Sequence, residues 1–124
     1  MMIKLNQRAF QHAKHLITRR RFVLDKGDAW SEHRPTSRRQ DAFVAVHGIR
    51  SYSTWFLGID EEAPEGSKAR HKFPYGDFEN VHRCAVVSAE LRAARYRYRA
   101  IESAAAQIRA LLEERAETRQ RLAG

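Results

Sequence analysis

The strongest constraint on this chain is the period of residues 101–112. Ile101, Ala104, Ala105, Ile108, Leu111 and Leu112 fall on one face of a helix, while Glu102, Arg109, Glu113 and Arg115 point elsewhere. An apolar stripe of that width must be buried against another element. Other windows read the same way. Asn6 is a plausible N-cap for a first helix in which Phe10, Ala13 and Ile17 recur at i, i+3 and i+7, widened by Ala9 and Leu16. That helix is expected to end near Arg19–Arg21, before Phe22-Val23-Leu24. Thr36 or Ser37 caps a second helix carrying Ala42, Phe43 and Val46, stopped by Gly48. Tyr52, Trp55, Phe56 and Ile59 mark a short aromatic helix interrupted at Gly58. A fourth helix is expected from Phe78, capped by Asp77, to about Arg95.

Strand signals are weak by comparison. No window alternates apolar and polar residues, β-branched residues are sparse, and no Asn-Gly or Asp-Gly turn is present. Phe43-Val44-Ala45-Val46 has the look of a buried strand, yet one strand builds no sheet. The expectation is an all-α fold: one domain over residues 1–124, with about five helices, the last two long, amphipathic and packed as a pair on the first. Residues 60–67 (Asp-Glu-Glu-Ala-Pro-Glu-Gly-Ser) read as an acidic surface loop, and residues 114–124 as a frayed, charged tail.

The 124 residues carry a formal charge of +8, with 43% apolar and 31% charged side chains, a composition of folded soluble proteins. No apolar run approaches the roughly 20 residues needed to span a bilayer. The N-terminus lacks the apolar core and cleavage site of a signal peptide, and Cys84 has no second cysteine to pair with. A cytoplasmic protein with no membrane partner is expected.

The charge is unevenly placed. Residues 1–24 hold Lys4, Arg8, Lys14, Arg19, Arg20 and Arg21 with no acidic residue. Further arginines cluster at Arg38-Arg39 and at Arg92, Arg95, Arg97 and Arg99, the last group interleaved with Tyr96 and Tyr98. Alternating aromatic and cationic side chains suit base stacking with phosphate contact, and a basic patch suits an anionic macromolecule. Arg19, Arg20, Arg21, Arg38, Arg39, Arg95, Arg97 and Arg99 are therefore the candidate nucleic-acid-binding residues. No DNA-reading signature accompanies them. An acidic face of a larger protein assembly is the alternative partner, with the chain as a subunit or adaptor. The fifth-helix stripe also offers a face for a second copy of the chain, a homodimer.

A second candidate site lies in residues 68–83. Pro74 fixes its own φ and pushes Phe73 towards an extended conformation, Gly76 frees the next bond, and Asp77 can cap a helix. Lys72, Tyr75, Asp77, His82 and Arg83 surround that turn and form a candidate anion-binding or catalytic group. The rival reading makes it a helix start, with Asp77 as cap and Phe73, Tyr75 and Phe78 in the core. No hydrolase elbow, Walker loop or dinucleotide fingerprint is present, so the chain reads as non-enzymatic. The six histidines follow no metal-ligand spacing, and His82 and Cys84, two apart on a predicted helix, are expected to diverge. Neither metal nor cofactor is expected.

The Lys72–Arg83 run, with Trp55-Phe56-Leu57-Gly58-Ile59-Asp60 before it and Tyr96, Ile101 and Glu102 after it, resembles a family of small uncharacterised bacterial and archaeal proteins. That family is built around a Lys-Phe-Pro-Tyr-Gly-Asp-Phe…Val-His-Arg motif. The resemblance extends to Leu5-Asn6, Ala9, His12-Ala13 and Asp28-Ala29-Trp30-Ser31-Glu32-His33. It implies no activity. Alanine stands at 94 and 100 where the family pattern has glycine and aspartate, which implies a tighter junction between the last two helices.

Overall fold

In the computed structural model, which describes residues 2–123, Asn6 closes a strand and opens a helix. Strand β1 (Ile3–Leu5) precedes it and helix α1 (Gln7–Thr18) follows. The Asn6 side chain accepts from the Ala9 amide and donates to the Ser53 and Phe56 carbonyls at 3.0 and 3.1 Å. One residue thus satisfies a helix terminus and ties it to a segment about fifty positions away. The α1 stripe expected from the period is buried, with Ala9, Phe10, Ala13, Leu16 and Ile17 all inside.

The all-α expectation fails at that distant segment. Among the described residues, five α-helices are accompanied by two small sheets, so the fold is mixed α/β and not a helical bundle. Strand β3 (Phe56–Asp60) is the centre of a three-stranded antiparallel sheet, flanked by β1 and by β4 (His71–Pro74). Leu5 lies opposite Gly58 on one side and Lys72 opposite Gly58 on the other. Tyr52, Trp55, Phe56 and Ile59 have helical spacing by coincidence. They span the end of helix α3 (Ser37–Ser53), a turn, and β3, and the first three are buried. Gly58 is demanded by crowding: a Cβ there would lie 2.8 Å from the Phe73 ring and 3.2 Å from Ile3.

Helix α3 begins where expected, with Thr36 accepting from the Arg39 amide. It breaks at Gly48 (φ +85°) and resumes to Ser53, so Gly48 interrupts the helix without ending it. Phe43–Val46 is helical, and Phe43 stacks on Phe78 with ring centroids 4.5 Å apart.

The fourth helix also starts later than expected. Helix α4 runs Arg83–Arg95, because residues 73–80 turn back on themselves. Phe73 and Phe78 take positive φ of 62° and 73°, so Pro74 does not leave Phe73 in ordinary extended backbone. Asp77 Oδ1 accepts from the amides of Glu79 and Asn80 at 3.0 and 2.8 Å, closing an Asx-type turn in place of a helix cap. Gly76 then bridges Val81. Beyond that turn, β5 (Val81–His82) pairs in parallel with β2 (Phe22–Val23).

Helix α5 (Arg99–Ala123) packs on α4, α1 and the sheet. Ile101, Ala104, Ala105, Ile108 and Leu112 meet Val86, Ala89 and Ala93 in one core. That stripe is buried inside the domain, apart from half-buried Leu111. A bidentate pair, Arg109 Nε and Nη2 on Glu90 at 2.6 and 3.1 Å, clips α5 to α4. The alanines at 94 and 100 do not fuse the two helices. Arg97 takes the left-handed conformation (φ 62°) in the three-residue link. The charged tail after Glu113 stays helical to Ala123 and, apart from half-buried Arg115 and Ala116, exposed. Among the described residues, no helix is long and apolar enough to cross a membrane.

Candidate functional site

Two places carry chemistry, and both owe their position to the loop between β2 and α3. The parallel pairing of Val23 with His82 lays Asp25 beside the first turn of α4. Asp25 Oδ1 accepts from the Cys84 amide at 2.9 Å, satisfying a free helix N–H from outside the helix. Its other oxygen, Oδ2, is a hub. His82 Nδ1 lies at 2.7 Å, His33 Nδ1 at 2.9 Å and the Cys84 thiol at 3.1 Å. His33 comes from a single helical turn, α2 (Trp30–His33), whose Trp30 ring lies 6.1 Å from that of His82. Arg83 holds the loop down by donating to the Leu24 and Asp25 carbonyls at 3.0 and 2.8 Å, and reaches Glu113 at 3.4 Å.

His82 is bound on both ring nitrogens, since Nε2 meets Asp77 Oδ2 at 2.9 Å. Burial alone would lower its pKa, but the bonds to Asp77 and Asp25 win and raise it. Asp77 answers in kind. Burial opposes its ionisation, yet His82 and the amides of Asn80 and Glu79 hold its carboxyl down at about 2. Asp25 is likewise lowered against the effect of burial, chiefly by the Cys84 amide and His82. The Cys84 thiol moves the other way: burial and the Asp25 carboxylate push it up to about 12. A thiol so protonated is no nucleophile by itself. The ligand atoms of Asp25, His33, His82 and Cys84 all lie within 4.8 Å of one another, which is the arrangement of a metal-binding group.

The second place is a groove of about 1000 Å³ between α4, β4 and the β2–α3 loop. Arg34, Lys68, Lys72, Arg92 and Arg95 line it and, among the described residues, Asp28 is the one carboxylate beside them. Lys68 pairs with Asp41. Among the described residues the other four are in no ion pair. Aromatic walls come from Trp30, Tyr52, Phe56, Phe73, Tyr96 and Tyr98, with the Arg92 guanidinium 5.8 Å from the Phe73 ring centre.

The five residues of the 72–83 candidate group do not share one pocket. Lys72 lines the groove. Tyr75 is fully buried, donates to the Thr54 carbonyl at 2.6 Å and meets His12 Nδ1 at 2.7 Å. Asp77 and His82 belong to the Asp25 cluster, and Arg83 is the loop clamp. His82 and Cys84 converge rather than diverge, because the helix begins only at Arg83 and His82 is still extended. Of the basic candidates, Arg95 lines the groove, and Arg97 and Arg99 sit at the α4–α5 link, Arg99 reaching Glu102 at 3.6 Å. Arg38 is exposed at the start of α3, and Arg39 donates to the Asp77 carbonyl. Arg19, Arg20 and Arg21 are exposed at the exit of α1 and, among the described residues, pair with no carboxylate.

Sequence reasoning missed Asp25, His33 and Arg34. The Trp30–His33 run was visible as part of the family resemblance, but nothing in its spacing announced that Asp25 would meet Cys84. Comparison with protein-family models, with curated proteins and with solved structures finds no match for this chain.

Proposed function

We propose that this protein is a non-enzymatic binder of single-stranded nucleic acid, held along the groove between α4 and β4. The observation that carries the reading is the meeting of four cations that are in no ion pair among the described residues, Arg34, Lys72, Arg92 and Arg95, with the exposed or half-exposed rings of Trp30, Tyr96 and Tyr98. Cationic side chains track a phosphate backbone, and aromatic rings offer stacking surface to any base. Duplex DNA has less support, because no helix is presented as a groove reader. The free arginines 19–21 extend the positive field and speed encounter with a polyanion.

Fluorescence anisotropy of a labelled oligothymidylate against salt tests this. For single strands the slope of log K on log salt is about −0.7 per phosphate contacted, so four contacts predict about −3. Replacing Lys72, Arg92 and Arg95 together by glutamine should remove most binding. If binding survives that change but is lost when Arg19–Arg21 become glutamine, the groove is not the interface. Affinity for a mononucleotide equal to that for the oligomer would favour a small anionic ligand, and a salt-insensitive capture of an acidic protein would favour an adaptor.

A further inference from the structure

We infer that Asp25, His33, His82 and Cys84 form a zinc(II) site that clamps the β2–α3 loop onto the start of α4. The argument rests on no part of the groove and starts from donor atoms. Asp25 Oδ2, His33 Nδ1, His82 Nδ1 and Cys84 Sγ supply one oxygen, two nitrogens and one sulfur, all within 4.8 Å of one another. Mixed imidazole, thiolate and carboxylate sets suit zinc among the common divalent ions. Zinc bonds of about 2.0–2.3 Å put the edges of a tetrahedron at about 3.3–3.6 Å. Asp25 Oδ2 lies 2.7 Å from His82, 2.9 Å from His33 and 3.1 Å from Cys84, Cys84 lies 3.7 Å from His33, and every pair is inside 4.8 Å. Opening the Asp25 edges by a few tenths of an ångström, and drawing in the wider ones, admits the ion.

The hydrogen-bond pattern favours an ion over protons. Three donors, His82 Nδ1, His33 Nδ1 and the Cys84 thiol, converge on one carboxylate oxygen, more than its lone pairs serve well. Replacing those protons by one divalent cation satisfies every group. Charge also closes: Asp25 and a Cys84 thiolate cancel the ion, leaving two neutral imidazoles. His82 Nε2 already has the partner that zinc-bound histidines favour, the Asp77 carboxylate at 2.9 Å. Asp77 is itself held by two backbone amides. Asp77 is thus a positioning residue that leaves Nδ1 free for metal. Cys84 is fully buried and the Asp25 and His82 side chains are 9% and 8% exposed, while His33 is 40% exposed. Three ligands wait inside and one closes from the surface. Four protein donors complete the tetrahedron, so the ion is structural. Binding releases the Cys84 thiol proton and the His82 Nδ1 proton to solvent, His82 keeping its Nε2–H on Asp77, while His33 coordinates through Nδ1 as the neutral tautomer with its proton on Nε2.

The full chain, stripped with a chelator under reducing conditions, is titrated with cobalt(II) and then zinc(II). The expected result is saturation at one cobalt per chain, with a thiolate-to-cobalt charge-transfer band and the strong visible bands of tetrahedral cobalt. Zinc should bleach both and raise the melting temperature. Cys84→Ser should abolish the charge-transfer band. His33→Gln, at an exposed position that leaves the fold intact, should weaken cobalt binding at least tenfold. Asp77→Asn should weaken it about 10–100-fold while keeping the charge-transfer band. No saturable uptake by the wild type, a pale octahedral spectrum, a charge-transfer band that survives Cys84→Ser, or unchanged affinity in His33→Gln would each overturn the assignment.

Discussion

The Asp25 carboxylate and the Cys84 backbone amide, 59 positions apart in sequence, are hydrogen-bonded at 2.9 Å. That bond makes a loop residue the cap of a helix it does not belong to. The same carboxylate faces the His82 and His33 rings, so it combines capping with charge pairing. Replacing it by alanine removes both at once and leaves His82 bonded on one side only. Loss of a cap costs about 1 kcal/mol, and breaking a buried charge pair costs about 3 kcal/mol or more. Asp25→Ala should therefore lose about 3–4 kcal/mol in denaturant melts of the metal-free chain. A loss below about 1 kcal/mol would mean that the loop and α4 hold together without it.

The turn at Gly76 gives an independent forecast. A Cβ at that position would lie 2.3 Å from the Asn80 carbonyl oxygen and 2.7 Å from the Trp55 ring. Backbone and an indole packed on Tyr75 at 5.4 Å have little room to yield. Gly76→Ala should cost at least about 2 kcal/mol, in the range of overpacked sites. Near the melting point each kcal/mol shifts Tm by about 3–6 °C in a domain this size, so calorimetry should show a fall of about 6 °C or more. A melt within two or so degrees of wild type would show that the turn relaxes freely.

How much was legible depended on whether the signal was local. Asn6, Thr36 and the 101–112 stripe speak through their near neighbours, and each is found where its pattern placed it. The strands speak only through distant partners. β3 carries Gly58 at its centre, a residue that weakens any strand reading and is required by the approach of Phe73. Phe22–Val23 and Val81–His82 are two residues each, too short for alternation to register. The candidate site inherits that blindness. Asp25, His33, His82 and Cys84 come from four segments that a two-residue parallel pairing brings together. The arginine–tyrosine alternation at 95–98 was visible, and Trp30, Tyr52 and Phe56 could be read as pocket-lining aromatics; Arg34 was not.

Tyr96 separates stacking from simple charge attraction in the groove. Its ring is 59% exposed and lies 6.3 Å from that of Tyr98, so removing it disturbs no core. If bases stack there, Tyr96→Ala should weaken oligothymidylate binding by about 1–3 kcal/mol with the salt slope unchanged. Arg95→Gln should instead shallow that slope by about 0.7. Identical effects from both variants would mean that the tyrosine acts only by shaping the surface.

His12 supplies a prediction in pH. Its Nδ1 lies 2.7 Å from the Tyr75 hydroxyl, and its ring stands edge-on to Trp55 at 5.2 Å. Tyr75 spends its proton on the Thr54 carbonyl, so His12 donates and Tyr75 accepts. Burial lowers the His12 pKa from 6.5; the Thr54 carbonyl opposes this and nearby His15 adds to it. The unfolded chain therefore takes up a proton at this site at a higher pH than the folded chain does. Stability from His12 is full above about 6.5 and is lost as pH falls below it towards the folded value. His71, also lowered by burial, acts in the same direction, and His82, which is raised, acts in the opposite one. The wild-type profile mixes all three, but a difference isolates one. In His12→Gln, an amide keeps a donor for Tyr75 without titrating. Denaturant midpoints of wild type and variant, compared at about pH 7.5 and about pH 5, should draw closer on the acid side, because only the wild type pays the protonation penalty there. A gap that stays constant on acidification would show that folding leaves the His12 pKa unshifted, and one that widens that folding raises it; either outcome overturns the prediction.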